Sequence, residues 1–264
     1  AFDRNTRLYE QDAERTETGG NVDRRGAGQA PGSYNQFWID SGTKTVGTRR
    51  TSLIIDPPNG RMPSTTPAGQ ARAEAARVYR REHPSDSYVD FSAGVRCILG
   101  FNAGPPFTPS AYNNNMQLFQ TPDHVVIMTE MVNTARVIPI DAGQHAHTNI
   151  TQWEGNPRGH WEGNTLVVES TNFKAVGNMR APGSRAPQHE GRRMVERFTF
   201  VDKDTLNYEL TVDDPDTYSV PWTVAFPYKR DDAYQQFEYA CHEGNFAVPN
   251  SLSGARAQEA EGSR

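Results

Sequence analysis

Hydrophobic and polar residues alternate in short runs along the second half of the chain, and turn-forming residues separate the runs. The clearest run has a hydrophobic residue at every second position: Leu206, Tyr208, Leu210 and Val212. A period of two residues places such side chains on one face of a β-strand. The preceding residues 202–204 have the length of a hairpin turn. The pattern therefore predicts an antiparallel hairpin at this point of the chain.

Strand-length runs of this kind recur from residue 116 to residue 240. Eight are predicted: Met116–Thr121, Val125–Met131, Ala135–Ile140, Thr165–Ser170, Met194–Val201, Thr205–Val212, Ser219–Phe226 and Gln235–Ala240. Their spacing is typical of an antiparallel meander. We expect a mainly β fold, in which the meander forms a lipocalin-like barrel or a two-sheet sandwich. The barrel is the preferred interpretation.

The chain before the meander predicts shorter elements. Three short strands are expected first, at residues 36–40, 44–46 and 52–56. A helix is expected over residues 67–82, because Thr66 before Pro67 is an N-cap followed by proline at the first helical position. The hydrophobic face of this arginine-rich helix is mostly alanine. We therefore expect the helix to lie on the surface or against another chain.

Changes in composition divide the chain into four parts. They are an extended N-terminal tail (1–33), a region of short strands and the arginine-rich helix (34–111), the β-barrel domain (112–243) and a polar C-terminal tail (244–264). The N-terminal tail has few apolar residues, so packing against another surface is needed to order it. Residues 171–191 form a long connection, and such connections are often binding loops or lids.

Composition and charge exclude several classes of protein. The chain has 264 residues, 35% of them hydrophobic, with 22 Gly and 18 Pro, which suits an all-β protein with many loops. No apolar run approaches the ~18 residues of a membrane span. The net charge of −5 does not favour nucleic acid as a partner. Basic residues concentrate in 44–81 and acidic residues in 202–243, which indicates faces of opposite charge.

The N-terminus and the two cysteines indicate a compartment. The chain begins at Ala1 without an initiator Met, as expected of a mature chain after removal of a signal peptide. Cys97 and Cys241 suit an oxidising compartment, where they would form a disulfide. Two buried free thiols are the alternative. We therefore expect a periplasmic or extracellular protein.

Four residues near strand ends could carry general acid–base chemistry at the opening of a barrel: His160, Glu162, Glu130 and His242. Ordinary hydrogen bonding within turns is the favoured interpretation. The chain has no GxSxG elbow, no Walker A motif and no GxGxxG at a strand-to-helix junction. The sequence therefore predicts no catalytic residue and no cofactor.

Two further groups could bind a metal ion. His145 and His147 are two residues apart, and such a pair can bind zinc or copper when a third ligand converges. The acidic turn of Asp213, Asp214 and Asp216 could bind calcium through carboxylate oxygens. Exposed loop histidines and an acidic β-turn are the favoured interpretations. No metal site is predicted.

Several motifs resemble a family of uncharacterised secreted bacterial proteins. They are Gln36-Phe37-Trp38 through Pro57-Pro58-Asn59-Gly60-Arg61, Tyr112-Asn113-Asn114-Asn115, RGHWEGNTLVVESTNF at 158–173, VERFTFVDKDTLNYELTVDDP at 195–215 and EYACHEGN at 238–245. The resemblance covers residues 34 to 260 and implies no activity, since the family has no established reaction. The N-terminal tail lies outside it.

Two functions remain open from the sequence. The preferred hypothesis is a non-catalytic, membrane-extrinsic accessory or scaffold subunit that binds and stabilises a larger cell-envelope complex, for example a respiratory or photosynthetic one. The tail 1–33, the arginine-rich helix and the loop 171–191 would contact the protein subunits of that complex. The alternative is a periplasmic β-barrel enzyme or binding protein for a small apolar or sugar-like ligand.

Overall fold

The computed structural model describes residues 50–100, 102–110, 112–141, 143–174 and 189–262. The predicted N-terminal tail, the first two predicted short strands and most of the 171–191 loop lie outside the described residues. The tail and the loop therefore stay predictions.

The chain divides into two compact units. One consists of residues 1–51 and 109–114, and the other of residues 52–108 and 115–264. In the first unit, Asn114 closes a local turn, because its side chain accepts from the Ser110 N–H at 2.8 Å and donates to the Ser110 carbonyl at 3.0 Å. All the helices and strands named below belong to the second unit.

The described residues form nine strands and two α-helices. In chain order they are β1 (Ile54–Asp56), α1 (Pro67–Glu82), β2 (Met116–Gln120), β3 (His124–Thr129), β4 (Ala135–Pro139), β5 (Asn156–Glu162), β6 (Thr165–Thr171), β7 (Arg193–Phe200), β8 (Thr205–Asp213), β9 (Trp222–Lys229) and α2 (Ala247–Gly262). Single 3₁₀ turns lie at Tyr88–Asp90 and Met131–Asn133.

The strands form two antiparallel sheets, which confirms the mainly β prediction. One sheet has six strands in the order β1-β9-β8-β7-β6-β5, and the other has three in the order β2-β3-β4. The preferred lipocalin-like barrel is wrong for the described strands, because β1 and β5 stay at opposite ends of an open sheet. Between β4 and β5 the meander stops, and among the described residues of these two strands and their link an isolated parallel bridge joins Ile140 to Gly159.

A shared core lies against the inner faces of both sheets. Val125, Ile127 and Ile138 of the small sheet belong to the same buried cluster as Tyr208 and Trp222 of the large one. Inward and outward side chains alternate along all of β8, as the period of two predicts. This packing is compatible with a sandwich.

Two strand predictions fail for identifiable reasons. No strand is predicted between residues 140 and 165, yet β5, which contains Pro157 and Gly159, pairs along its length with β6. The glycine is required there, since a Cβ atom at Gly159 would lie 2.9 Å from Ile138 Cγ2 and 2.7 Å from Ile140 Cδ1. The predicted strand at 235–240 is instead irregular.

The helix prediction is confirmed. Thr66 caps α1, because its hydroxyl accepts from the Gly69 N–H at 3.0 Å. Gly69 is the one buried residue of the helix. Arg72 donates to the Thr217 hydroxyl at 2.6 Å. The helix thus lies on the surface of its unit and is attached near one end.

The C-terminal arm, defined here as residues 230–262, runs without strand pairing before it forms α2. Cys97 and Cys241 form a disulfide, with an S–S distance of 2.05 Å. Asn245 donates to the Val95 carbonyl at 3.0 Å, and Arg256 donates to the Ser85 carbonyl at 3.2 Å. These contacts hold the arm, although α2 itself buries no residue.

Candidate functional site

The structure does not assemble the four acid–base candidates. His160 and Glu162 are exposed neighbours on β5, with His160 Nε2 3.2 Å from Glu162 Oε1. Glu162 also accepts from Arg197 at 2.5 Å. The Arg197 hydrogen bond and, after it, the one from His160 lower the pKa of Glu162. This carboxylate stays ionised and cannot serve as a proton donor near neutral pH.

Glu130 lies elsewhere and is already fully hydrogen-bonded. It is buried, and its two carboxyl oxygens accept from Asn115 at 2.8 Å and from the Tyr234 hydroxyl at 2.7 Å. Glu130 lies near the first residue of β4, because it follows the end of β3 that pairs with Ala135. His160 lies near the last residue of β4, because its neighbour Gly159 bridges to Ile140. The two ends of β4 are five residues apart, or about 17 Å.

The remaining acid–base candidate, His242, is exposed in the C-terminal arm beside the disulfide. No hydrogen bond within the described residues joins it to Glu130, His160 or Glu162. The hydrogen bonds of the described residues therefore do not join this imidazole to the other three candidates.

The histidine pair has separate partners. His145 Nδ1 lies 2.9 Å from the Asn156 carbonyl, and its Nε2 lies 3.4 Å from Glu169. His147 Nδ1 lies 2.8 Å from Asn149. Within the described ranges, no group of three or more His, Cys, Asp or Glu side chains could hold a metal ion.

The acidic turn uses its charges to organise the backbone. Asp214 is buried and accepts from the Thr217 N–H at 3.1 Å and from the His189 N–H at 2.9 Å. Asp216 pairs with His189 Nδ1 at 3.3 Å. Asp213 belongs to β8. These contacts give the turn a structural role.

The buried ionic cluster, which the sequence reasoning missed, joins the two sheets. It consists of Arg136, Ser170, Glu196 and Tyr208. Arg136 Nη2 lies 2.5 Å from Glu196 Oε2 and donates to Ser170 at 2.7 Å. The Tyr208 hydroxyl donates to Glu196 Oε1 at 3.0 Å. The side chains of Arg136 and Glu196 are only 3% and 0% exposed.

Electrostatics keep Arg136 charged and Tyr208 neutral in this cluster. Burial opposes the charge on Arg136, but the neighbouring Glu196 carboxylate outweighs it, and the pKa of Arg136 is raised. Burial, and then the charge of Glu196, raise the pKa of Tyr208 well above its ordinary value. The tyrosine therefore remains a hydrogen-bond donor, and each charge in the core has its counter-charge.

A second carboxyl group lies next to this cluster. Burial raises the pKa of Glu154 from 4.5 to about 7, against the opposing attraction of Arg136. Its Oε1 atom is buried and accepts no hydrogen bond from the described residues. A carboxyl group with such a pKa beside a cleft is a common feature of functional sites.

The cleft, with a volume of about 540 Å³, lies between β4 and the segment that leads into β5. One wall is residues 134–137, and the other is residues 151–155 with Pro157 and Lys174. The Lys174 ammonium lies 5.4 Å from the ring centre of Trp153. The volume is within the range of natural ligand sites, roughly 300–1,000 Å³.

The free edge of β4 forms one side of this cleft. The Thr129 N–H donates to the Thr134 carbonyl, and the Ile140 N–H donates to the Asp123 carbonyl. Since antiparallel pairs alternate, Arg136 and Ile138 exchange backbone hydrogen bonds with β3. Ala135 and Val137 therefore direct their N–H and C=O groups away from β3. No described strand pairs with them on that side.

The outer face of the three-stranded sheet carries an apolar row. Phe119 pairs with Val126, and Val126 pairs with Val137, so the three side chains lie side by side on one face. Phe119 is 49% exposed and Val137 is 52% exposed. The neighbouring inward-facing residues Ile127 and Arg136 are buried. This row, Phe119–Val126–Val137, is called the apolar row below.

One signal in the sequence could have revealed the buried cluster. Glu196 lies at the middle of the alternating series Met194, Glu196 and Phe198, whose other members are hydrophobic and buried. Arg136 lies in phase with Ile138 in the same way. Two opposite charges in the inward phase of two strands indicate a buried pair, because neither charge is tolerated there alone.

Neither helix in the described ranges is long and apolar enough to cross a membrane. Comparison of the chain with protein-family models, with curated proteins and with solved structures gives no match.

Proposed function

We propose that the protein is a non-catalytic, membrane-extrinsic accessory subunit that binds and stabilises a larger cell-envelope protein complex. The observation that carries the proposal is the apolar row on the outer face of the small sheet. Phe119 and Val137, both about half exposed, flank Val126 there. Contiguous exposed apolar surface of this kind marks protein interaction sites.

The C-terminal arm supports a second contact with the same partner. Phe237 and Phe246 are 66% and 65% exposed, although the disulfide holds the arm in place. Aromatic residues are enriched in the buried centres of protein interfaces. The preformed arm also lowers the ordering cost that a flexible tail would add on binding.

The arrangement of polar groups supports a non-catalytic role. General acid–base catalysis needs groups within hydrogen-bond reach of one substrate atom. His160 and Glu130 lie near opposite ends of β4, and each already has a structural partner. The disulfide supports an oxidising compartment, periplasmic or extracellular, because such compartments preserve disulfides.

The experiment is native-size chromatography of detergent-treated envelope extracts, with a matched pair of variants. Phe119→Ser removes the aromatic ring from the apolar row, and Phe200→Ser removes an equally exposed ring, also 49% exposed, from the six-stranded sheet. We expect the native chain and Phe200→Ser to elute with a large complex and Phe119→Ser to elute at its own mass of 29.4 kDa.

Two results would contradict the proposal. One is elution of the native chain from extracts only as a free monomer. The other is a purified native chain that forms by itself a species as large as that in the extract, because the apolar row would then bind a second copy of the chain.

A further inference from the structure

We infer that the free edge of β4 accepts an extended segment of the partner protein as an added antiparallel strand. The segment would place a Ser or Thr opposite Arg136, with its hydroxyl donating to the Glu154 carboxyl group, and an apolar residue on either side. This inference rests on the proposed function and names the chemistry of the partner at one site.

The backbone supplies the first argument. Ala135 and Val137 each direct one N–H and one C=O into the cleft. An added antiparallel strand would satisfy all four groups, as in strand-addition complexes of other proteins. The unpaired N–H and C=O groups of a strand edge readily pair with a strand of another chain. A free edge that borders a cleft is therefore suited to a specific partner.

Two residues of β4 limit how much of its free edge can pair with an added strand. Pro139 has no N–H to donate, which ends the edge after Val137. The inward-pointing charge of Arg136 discourages pairing with an arbitrary apolar strand. The edge therefore takes a short segment of about three residues in one register.

The side chains define the composition of that segment. A residue paired opposite Arg136 points toward the inner side of the sheet, where Glu154 lines the same cleft. Glu154 Oε1 is buried and accepts no hydrogen bond from the described residues, so a small hydroxyl side chain in the cleft would donate to the other oxygen of this carboxyl group. The two residues of the added segment that flank this Ser or Thr would point to the outer face of the sheet, where they would extend the apolar row beyond Val137.

The probe is the synthetic peptide acetyl-Lys-Val-Thr-Val-Lys-amide, titrated into the full-length chain while backbone amide resonances are followed by NMR. Four backbone hydrogen bonds of ordinary net strength correspond to a Kd on the order of 1 mM. We expect saturable shifts of the Ala135 and Val137 amides. N-methylation of both peptide valines removes two donors and should weaken binding at least about tenfold.

Matched chain variants locate the site. Ala135→Pro removes one free N–H but no β3 hydrogen bond, and Thr134 at φ −87° and ψ 133° already has the conformation that precedes proline. Ala135→Val keeps the N–H. We expect Ala135→Pro to lose the peptide-induced shifts and Ala135→Val to retain them. On the native chain, a peptide in which Val replaces Thr should bind more weakly than the Thr peptide. On the Glu154→Ala chain, the two peptides should bind equally well, or the Val peptide more tightly.

Several results would overturn the inference. Slow exchange of the Ala135 and Val137 amides in the free chain would mean that the edge is already paired. Unchanged peptide binding by Ala135→Pro would place the peptide elsewhere. A complex in extracts that tolerates Ala135→Pro but not Phe119→Ser would leave the proposed function standing while excluding strand addition by the partner. Loss of the complex in both variants is the expected result.

Discussion

Two adjacent residues of β7, Glu196 and Arg197, belong to ion pairs of the same length in opposite surroundings. Glu196 points inward and lies 2.5 Å from Arg136, with neither side chain more than 3% exposed. Arg197 points outward and lies 2.5 Å from Glu162, with the two side chains 39% and 49% exposed. The same chemical pair is therefore present in the core and in solvent, one residue apart along the strand.

Burial, rather than residue type or distance, determines what each pair contributes. In the core, each charge depends on the other, because no water can replace a missing partner. At the surface, water and salt screen the pair and solvate either charge alone. The exposed group is visible in the sequence because His160 and Glu162 are only two residues apart, whereas the buried pair is divided between residues 136 and 196.

The largest expected effect is that of Glu196→Gln. The substitution removes the carboxylate paired with the buried Arg136 and leaves only the Glu154 carboxyl group near its charge. Breaking a buried ion pair costs about 3–5 kcal/mol in comparable cases. Urea denaturation of the purified chain measures the free energy of unfolding. A variant as stable as the native chain would show that the buried pair contributes nothing that a neutral amide cannot.

Glu154→Gln should change the pH dependence of stability. The folded-state pKa of about 7 lies above the ordinary value of 4.5, so folding favours the protonated form. The stabilising contribution is complete below pH 4.5 and is lost as the pH rises through 7, by up to about 3 kcal/mol.

Gln cannot ionise, so the variant should match the native chain near pH 4 and be more stable near pH 8. Unfolding free energies measured across this pH range make the comparison. A native curve parallel to that of the variant would show that folding does not raise the pKa of Glu154.

Tyr208→Phe should cost about 2 kcal/mol, since a hydrogen bond to a charged group is lost in the core. The Tyr208 hydroxyl donates to Glu196 at 3.0 Å and accepts from the Phe107 N–H at 3.4 Å. The aromatic packing against Phe198 and Phe226 is retained in the variant. Thermal denaturation of the two proteins at equal concentration tests the expected decrease in Tm.

The smallest effect belongs to Glu162→Gln, the surface counterpart of Glu196→Gln. Loss of the Glu162 charge should leave the urea midpoint at pH 7 unchanged within measurement error, because its partners Arg197 and His160 are both exposed. A decrease comparable with that of the core variant would remove the distinction between the two pairs.

The elements that the sequence predicted best are those in which local signals agree. The helix over 67–82 has a capping residue, a first-turn proline and a terminal pair of arginines, and β8 has an uninterrupted period of two. β5 was missed because proline and glycine are unfavourable inside strands. The glycine is required there by the close approach of Ile138 and Ile140, which only the tertiary structure creates. Residues 235–240, predicted as a strand, instead belong to the irregular part of the C-terminal arm, just before the disulfide at Cys241.

The candidate site was less accessible to sequence reasoning for a similar reason. The cleft brings residues 134–137 beside residues 151–155 across the gap between two sheets. Glu154 has no motif around it, and its pKa is raised by burial that no local pattern encodes. The apolar row likewise depends on the register of three strands.

Site-specific photo-crosslinking tests the central claim most directly. A photoreactive phenylalanine analogue is placed at residue 119 in one version of the chain and at the equally exposed residue 200 in another, and both are irradiated in intact envelopes. Docking through the apolar row predicts one covalent adduct from residue 119, with the same protein that co-elutes in the native complex, and none from residue 200. Adducts of equal yield from both positions, or none from residue 119, would contradict it.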